Sequence, residues 1–82
     1  MKLVLADDVA LLRDGLAALL EGAGNTIVGA AADADELRTL VRFLMNTTDQ
    51  PDAVITDIRM PPSNTNDGFA AAVELRSEYP GL

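Results

Sequence analysis

The 82-residue chain contains neither cysteine nor histidine. The absence of cysteine excludes disulfide bonds, thiolate nucleophiles and zinc–thiolate sites within these residues. The absence of histidine excludes imidazole as an acid/base catalyst and as a metal ligand. A metal site built from this chain therefore depends on oxygen ligands.

Basic residues are also scarce, with six Lys and Arg against thirteen Asp and Glu and a net charge of −7. The six are scattered along the chain, at Lys2, Arg13, Arg38, Arg42, Arg59 and Arg76. Because they form no basic stripe that meets phosphates, we expect no nucleic acid binding through this segment.

Long hydrophobic runs are missing as well. The apolar stretch after Lys2 is too short for a signal peptide and runs directly into two aspartates. No segment approaches the length of a membrane span, so we expect a cytoplasmic protein without membrane contact. The composition, 49% hydrophobic and 23% charged, is typical of one small globular domain.

Apolar periodicity predicts three strands that alternate with three helices. The predicted strands cover residues 3–6, 26–30 and 53–57. The predicted helices cover 9–21, a segment that begins at a cap of Asp33 or Asp35, and about 68–79, with a loop at 58–67 before the last. This βαβαβα order predicts an α/β fold with a parallel sheet.

Two apolar stripes at helical spacing are interpreted as core rather than as partner surfaces. The stripe of the first helix is Val9, Leu12, Leu16, Leu19 and Leu20, and that of the second is Leu37, Leu40, Val41 and Leu44.

Three carboxylates stand at the ends of two predicted strands. Asp7 and Asp8 follow the first strand, and Asp57 closes the third. The carboxyl ends of parallel strands are where open α/β sheets bind ligands. Carboxylates that lie close together repel one another unless a cation holds them. The pattern therefore predicts a Mg²⁺-type site with one carboxylate left for chemistry.

Each acid also has a purely structural interpretation. The pair Asp7-Asp8 suits a helix cap with a first-turn acid, although one aspartate would suffice for that. Asp57 alone suits a solvated acid at a strand end. The combination of all three with the following Met60-Pro61 favours the site.

These residues together resemble the receiver domain of bacterial two-component response regulators. The resemblance rests on Asp7-Asp8 after the first strand, Asp57 after the third, and Met60-Pro61 soon after it. The resemblance implies a flavodoxin-like doubly wound parallel sheet, here with the strand order 2-1-3. It covers residues 1–82 but only three of the family's five βα units, so we expect a partial receiver domain without its output domain.

The resemblance also implies a role for each site residue. Asp57 is implied to be the phosphoacceptor for a sensor histidine kinase, whose phosphohistidine lies on that other molecule. Asp8 is implied to bind Mg²⁺ directly, with Asp7 beside it acting partly through water. The backbone carbonyl of Arg59 is implied to supply a further metal oxygen. Such a chain is not an enzyme, but a phosphoacceptor that takes part in its own phosphoryl transfer.

Two features refine the comparison with the family. Ile27–Ala31 and the Met60-Pro61-Pro62 loop resemble receivers that carry a C-terminal helix-turn-helix DNA-binding domain, which implies transcription regulation by the intact protein. Six residues, Pro62 to Asp67, intervene before the glycine matching Gly68, where most receivers have fewer. This longer loop beside the acceptor is expected to affect metal geometry or partner access.

Two alternatives stay open. The first is a non-phosphorylatable interaction module, because the family's sensing Ser/Thr and phosphate-pairing Lys have no counterpart here. An unpaired edge of the third strand would then favour a homodimer or segment swapping. The second is a phosphatase or phosphotransferase with Asp57 as nucleophile. Arg59 counts against it, since such enzymes place an acid there.

Overall fold

The computed structural model describes every residue from Met1 to Leu82. Three strands and three helices alternate along the chain: β1 (Lys2–Ala6), α1 (Ala10–Gly22), β2 (Thr26–Ala31), α2 (Ala34–Leu44), β3 (Ala53–Thr56) and α3 (Asp67–Glu78). The predicted α/β class is confirmed, and the predicted element bounds lie within one residue of the observed ones. None of the helices combines the length and the hydropathy that crossing a membrane would require.

The three strands form one parallel sheet in the order β2-β1-β3, which confirms the predicted order. At the carboxyl end of the sheet, Ala6 of the central strand lies opposite Ala31 on one side and Thr56 on the other. The residues that follow Ala6 and Thr56 therefore emerge side by side at one edge of the sheet.

The hydrophobic core lies on the face of the sheet that α2 and α3 cover. Successive strand residues point to opposite faces, and Val4 and Ala6 point to this one. The end of β2, the two helices and the loop before α3 complete the cluster with Ala31, Ala34, Leu37, Val41, Leu44, Met60, Ala71 and Leu75. The prediction that the α2 stripe is core is thus confirmed.

The N-terminus of α2 is capped by Asp33 and not by Asp35. The Asp33 carboxylate accepts the backbone N–H of Glu36 at 2.7 Å, so a helix donor without an intrahelical partner is satisfied. The main-chain N–H of Ala34 donates to the carbonyl of Pro61 at 3.2 Å. This bond ties the start of α2 to the loop that follows β3.

The opposite face of the sheet is covered by α1 alone. Leu3 and Leu5 of β1 are buried beneath it, with exposures of 4% and 2%. No residue of α1 itself is buried. One helix over three strands shields the central strand but has no helical neighbour to cover its own flanks.

The prediction that the α1 stripe is core was wrong for three of its five members. Leu16 and Leu20 are half-buried, whereas Val9, Leu12 and Leu19 are 51%, 52% and 73% exposed. The physical reason is that no second helix lies beside α1 on this face of the sheet, so its apolar stripe meets solvent.

Candidate metal centre

Asp7 continues β1 beyond its last strand residue and is almost completely buried. Its N–H donates to the carbonyl of Ala31 at 3.1 Å, which extends the β1–β2 ladder by one residue. One oxygen of its carboxylate accepts the N–H of Val9 at 2.9 Å. The side chain is 7% exposed and has one carboxylate oxygen engaged by the chain.

Asp57 occupies the equivalent position after β3. Its N–H donates to the carbonyl of Ala6 at 2.9 Å, so the β1–β3 ladder also continues one residue past the strand. Its side chain is exposed, and its only protein partner is the N–H of Arg59 at 3.4 Å. The acceptor predicted from the sequence is therefore fixed through its backbone and accessible through its carboxylate.

The structure brings all three predicted carboxylates together. One carboxylate oxygen from each of Asp7, Asp8 and Asp57 lies within 4.8 Å of the other two. Asp7 is buried, whereas Asp8 and Asp57 are exposed. No lysine or arginine of the chain forms an ion pair with any of them, since the five ion pairs all involve other acids.

The donor set fits a hard divalent cation such as Mg²⁺. The ligands are carboxylate oxygens, none of the three acids forms an ion pair, and two of the three face solvent. Mg²⁺ prefers oxygen ligands and keeps several of its waters, which suits a site of few carboxylates open on one side. Asp8 and Asp57 would then offer free oxygens, and Asp7 would support them from within.

Arg59 lies beside the cluster in the loop after β3. Its side chain is exposed, and its amide points to the Asp57 carboxylate. The predicted role of its carbonyl as a metal ligand stays a prediction. The loop itself is anchored by Met60, which is fully buried in the core.

Arg13 is a contact of the site that the sequence did not indicate. Its guanidinium donates from Nη1 to the main-chain carbonyl of Asp7 at 2.7 Å, across the turn between β1 and α1. It also lines a groove of about 280 Å³ between α1 and β3, together with Asp7 and Asp57. The sequence shows only that Arg13 lies in the first turn of α1. An isolated arginine on a helix does not reveal which group its side chain contacts.

The sequence of this chain matches the family model of the response regulator receiver domain over residues 3–82. It is 38% identical over 77 residues to the transcriptional regulatory protein PdtaR of Mycobacterium tuberculosis, in strain CDC 1551 / Oshkosh and in strain ATCC 25618 / H37Rv. The aligned region is 94% of this chain and 34% of each relative. The chain thus spans about a third of the length of the curated relatives it matches.

Proposed function

Because the chain belongs to the response regulator receiver domain family, we propose that it accepts a phosphoryl group on Asp57 in a Mg²⁺-dependent reaction. Receiver domains of response regulators work with histidine kinases, so the proposed donor is the phosphohistidine of a sensor kinase. The chain is then a phosphoacceptor that assists its own modification, and not an enzyme with a separate substrate.

The gathering of Asp7, Asp8 and Asp57 is the observation that supports this proposal most directly. The acids come from two parts of the sequence that only the parallel pairing of β1 with β3 places side by side. Like charges held this close without a basic partner are costly unless a cation binds them. Asp8 and Asp57, with the Arg59 carbonyl, are the proposed direct ligands. Asp7 has one oxygen engaged by Val9, which supports its acting partly through water.

The proposed reaction is a displacement at phosphorus. An oxygen of the Asp57 carboxylate attacks the phosphorus of the donor and forms an acyl phosphate. The bond from phosphorus to the leaving nitrogen of the donor histidine breaks, and its electron pair stays on that ring. Bound Mg²⁺ would supply neutralisation of the negative charge on the phosphoryl oxygens. The chain itself fixes the backbone of Asp57 through the hydrogen bond from its N–H to the carbonyl of Ala6.

The relatives are named transcriptional regulatory proteins, which supports a role in transcription regulation for the intact protein. Phosphorylation would act there by shifting an equilibrium between two states of the receiver. A cytoplasmic location is part of the same proposal. The homodimer expected from the sequence stays a prediction, which sedimentation velocity would test.

The test is the intact mass of the chain before and after incubation with Mg²⁺ and acetyl phosphate. We expect one phosphoryl adduct, lost when Mg²⁺ is chelated and absent from Asp57→Asn, an isosteric variant that keeps the fold. An undiminished adduct on Asp57→Asn would refute the acceptor assignment.

Calorimetric titration with Mg²⁺ tests the ligand assignment in the same preparations. We expect Asp8→Ala to weaken binding more than Asp7→Ala, because Asp8 is exposed and Asp7 is partly engaged by the chain. The opposite order would make Asp7 the direct ligand.

A further inference from the structure

Gly68, in the first turn of α3, lies against the backbone of the proposed acceptor. A Cβ atom built on Gly68 would lie 1.8 Å from the main-chain oxygen of Asp57 and 3.1 Å from that of Ile58. Both are backbone atoms, which cannot swing aside as the end of a flexible side chain can. The positive-φ glycine of the chain is Gly24, so Gly68 is needed for space and not for its dihedral angles.

The main chain around Asp57 is held from two sides. On the β1 side, the Asp57 N–H donates to Ala6 at 2.9 Å. On the α3 side, the N–H groups of Gly68 and Phe69 donate to the carbonyl of Ile58 at 2.9 Å and 3.4 Å. The peptide that joins Asp57 to Ile58 is therefore enclosed between a strand and a helix N-terminus. Any atom added to Gly68 displaces this peptide or the helix.

We propose that Gly68 is a positioning residue for phosphoryl transfer to Asp57. Its missing side chain lets the first turn of α3 rest directly on the acceptor's carbonyl, and this contact sets where the Asp57 carboxylate stands relative to Asp7 and Asp8. The inference rests on the proposed function of Asp57. Gly68 touches neither substrate nor metal and acts only through the acceptor's backbone.

The size of the expected effect follows from the distances. Ordinary van der Waals contact needs at least 3.4 Å, so a methyl group on Gly68 must push the Asp57 carbonyl or α3 by well over an ångström. A misplacement of about 1 Å between reacting groups lowers rates by about 100-fold. The carboxylate oxygens of the cluster lie within 4.8 Å of one another, so a shift of this size also alters their spacing.

Two other glycines of the chain provide matched controls. A Cβ on Gly15, in the exposed α1, meets nothing within 4 Å. A Cβ on Gly29, in β2, meets the Cδ2 atom of Leu40 at 2.8 Å and so introduces crowding away from β3. Gly15→Ala controls for the substitution itself, and Gly29→Ala controls for crowding against a side chain that can move, away from the acceptor.

The experiment compares Gly68→Ala, Gly29→Ala and Gly15→Ala with the unchanged chain. The rate of adduct formation with acetyl phosphate, the Mg²⁺ affinity by calorimetry and the ¹H–¹⁵N resonance of Asp57 are measured where circular dichroism shows each variant folded. We expect Gly68→Ala to lower the rate about 100-fold, to weaken Mg²⁺ binding and to move the Asp57 resonance. Both controls should keep the rate and the affinity, because neither glycine lies against the backbone of Asp57.

A folded Gly68→Ala with unchanged Mg²⁺ affinity and rate would overturn the proposal. If Gly68→Ala does not fold, the unchanged chain is titrated with Mg²⁺ and followed by its amide resonances. We expect the resonances of Gly68 and Asp57 to shift together while that of Gly15 stays in place. A Gly68 resonance that does not shift would overturn the proposal. If the unchanged chain takes no phosphoryl group, the proposed function fails. The affinity and the resonances still decide the role of Gly68.

Discussion

The two faces of the sheet carry helices whose apolar residues are buried to very different extents. On one face α2 and α3 pack side by side, and Leu37 is fully buried between them and the sheet. On the other face α1 lies alone, and Leu11 and Leu19 are 84% and 73% exposed. The helices of the first face have each other as neighbours, whereas α1 has no helix beside it. An amphipathic stripe marks a face that is able to pack, and the neighbours decide whether it does.

The ends of α2 are also better stabilised than those of α1. Asp33 caps α2 with its side chain, and Arg42 stands in the last turn, where a positive charge is favourable. At the N-terminus of α1, Val9 provides no side-chain hydrogen bond, and the helix has no acid in its first turn and no base in its last. The helix that packs least is thus also the one with the weaker ends.

The largest effect is expected where the two faces differ most in burial. Leu37→Ala removes a fully buried side chain from the α2/α3 face and should lower the free energy of unfolding by about 2–5 kcal/mol. Leu19→Ala on the exposed flank of α1 should change it by no more than about 0.5 kcal/mol. Urea denaturation followed by circular dichroism measures both. A large loss for Leu19→Ala would mean that α1 is covered in solution, and the contrast between the faces would disappear.

An intermediate effect is expected at the helix ends. Asp33→Ala leaves the Glu36 N–H without its acceptor and should cost about 1 kcal/mol of unfolding free energy. Val9→Ser introduces a capping hydroxyl at α1 and should gain a fraction of that amount. The same denaturation curves provide the measurement. A Val9→Ser variant without any gain would show that the new hydroxyl does not reach the N–H groups of the first turn of α1.

The smallest effect is expected from the ion pairs that link α2 to α3. The hydrogen bond from Arg38, and then that from Arg42, hold the pKa of the Glu74 carboxyl below its ordinary value of 4.5. A carboxyl with a lowered pKa in the folded state stabilises the fold above pH 4.5, and this contribution is lost as the pH falls through the lower, folded-state pKa. Because these side chains are partly exposed, the gain is modest and salt weakens it.

Glu74→Gln should therefore lower the thermal midpoint slightly at pH 7, and the difference from the unchanged chain should vanish in acid and in high salt. Glu21→Gln on α1 is the matched control, since Glu21 forms no ion pair. Equal changes of the thermal midpoint for the two variants at pH 7 would show that the ion pairs between α2 and α3 do not stabilise the fold.

The strands and the acids that end them were predictable from short-range sequence signals, whereas the strand order that brings the acids together was expected from the resemblance to receiver domains. Asp7 and Asp57 end apolar runs, and parallel strands that pair must release their next residues at a common edge. The exposure of Leu19 was not predictable, since it depends on which elements lie beside α1. The close approach of Gly68 to Asp57 was not predictable either, because it depends on the path of the loop and on how α3 crosses the strand end. The sequence between β3 and α3 indicates a turn, but it does not give the distance between Gly68 and the backbone of Asp57.

The central position of β1 has a consequence for the order in which the chain folds. The strand that is synthesised first is the one buried on both faces, and its partners in β3 lie roughly twice as far along the chain as those in β2. Doubling a loop adds only about 0.6 kcal/mol to the entropy of closing it, so the equilibrium cost of this arrangement is small. During translation, however, Leu3 and Leu5 emerge well before β3 has been made. A nascent chain therefore lacks the partner of one edge of β1 until residue 56 has been added.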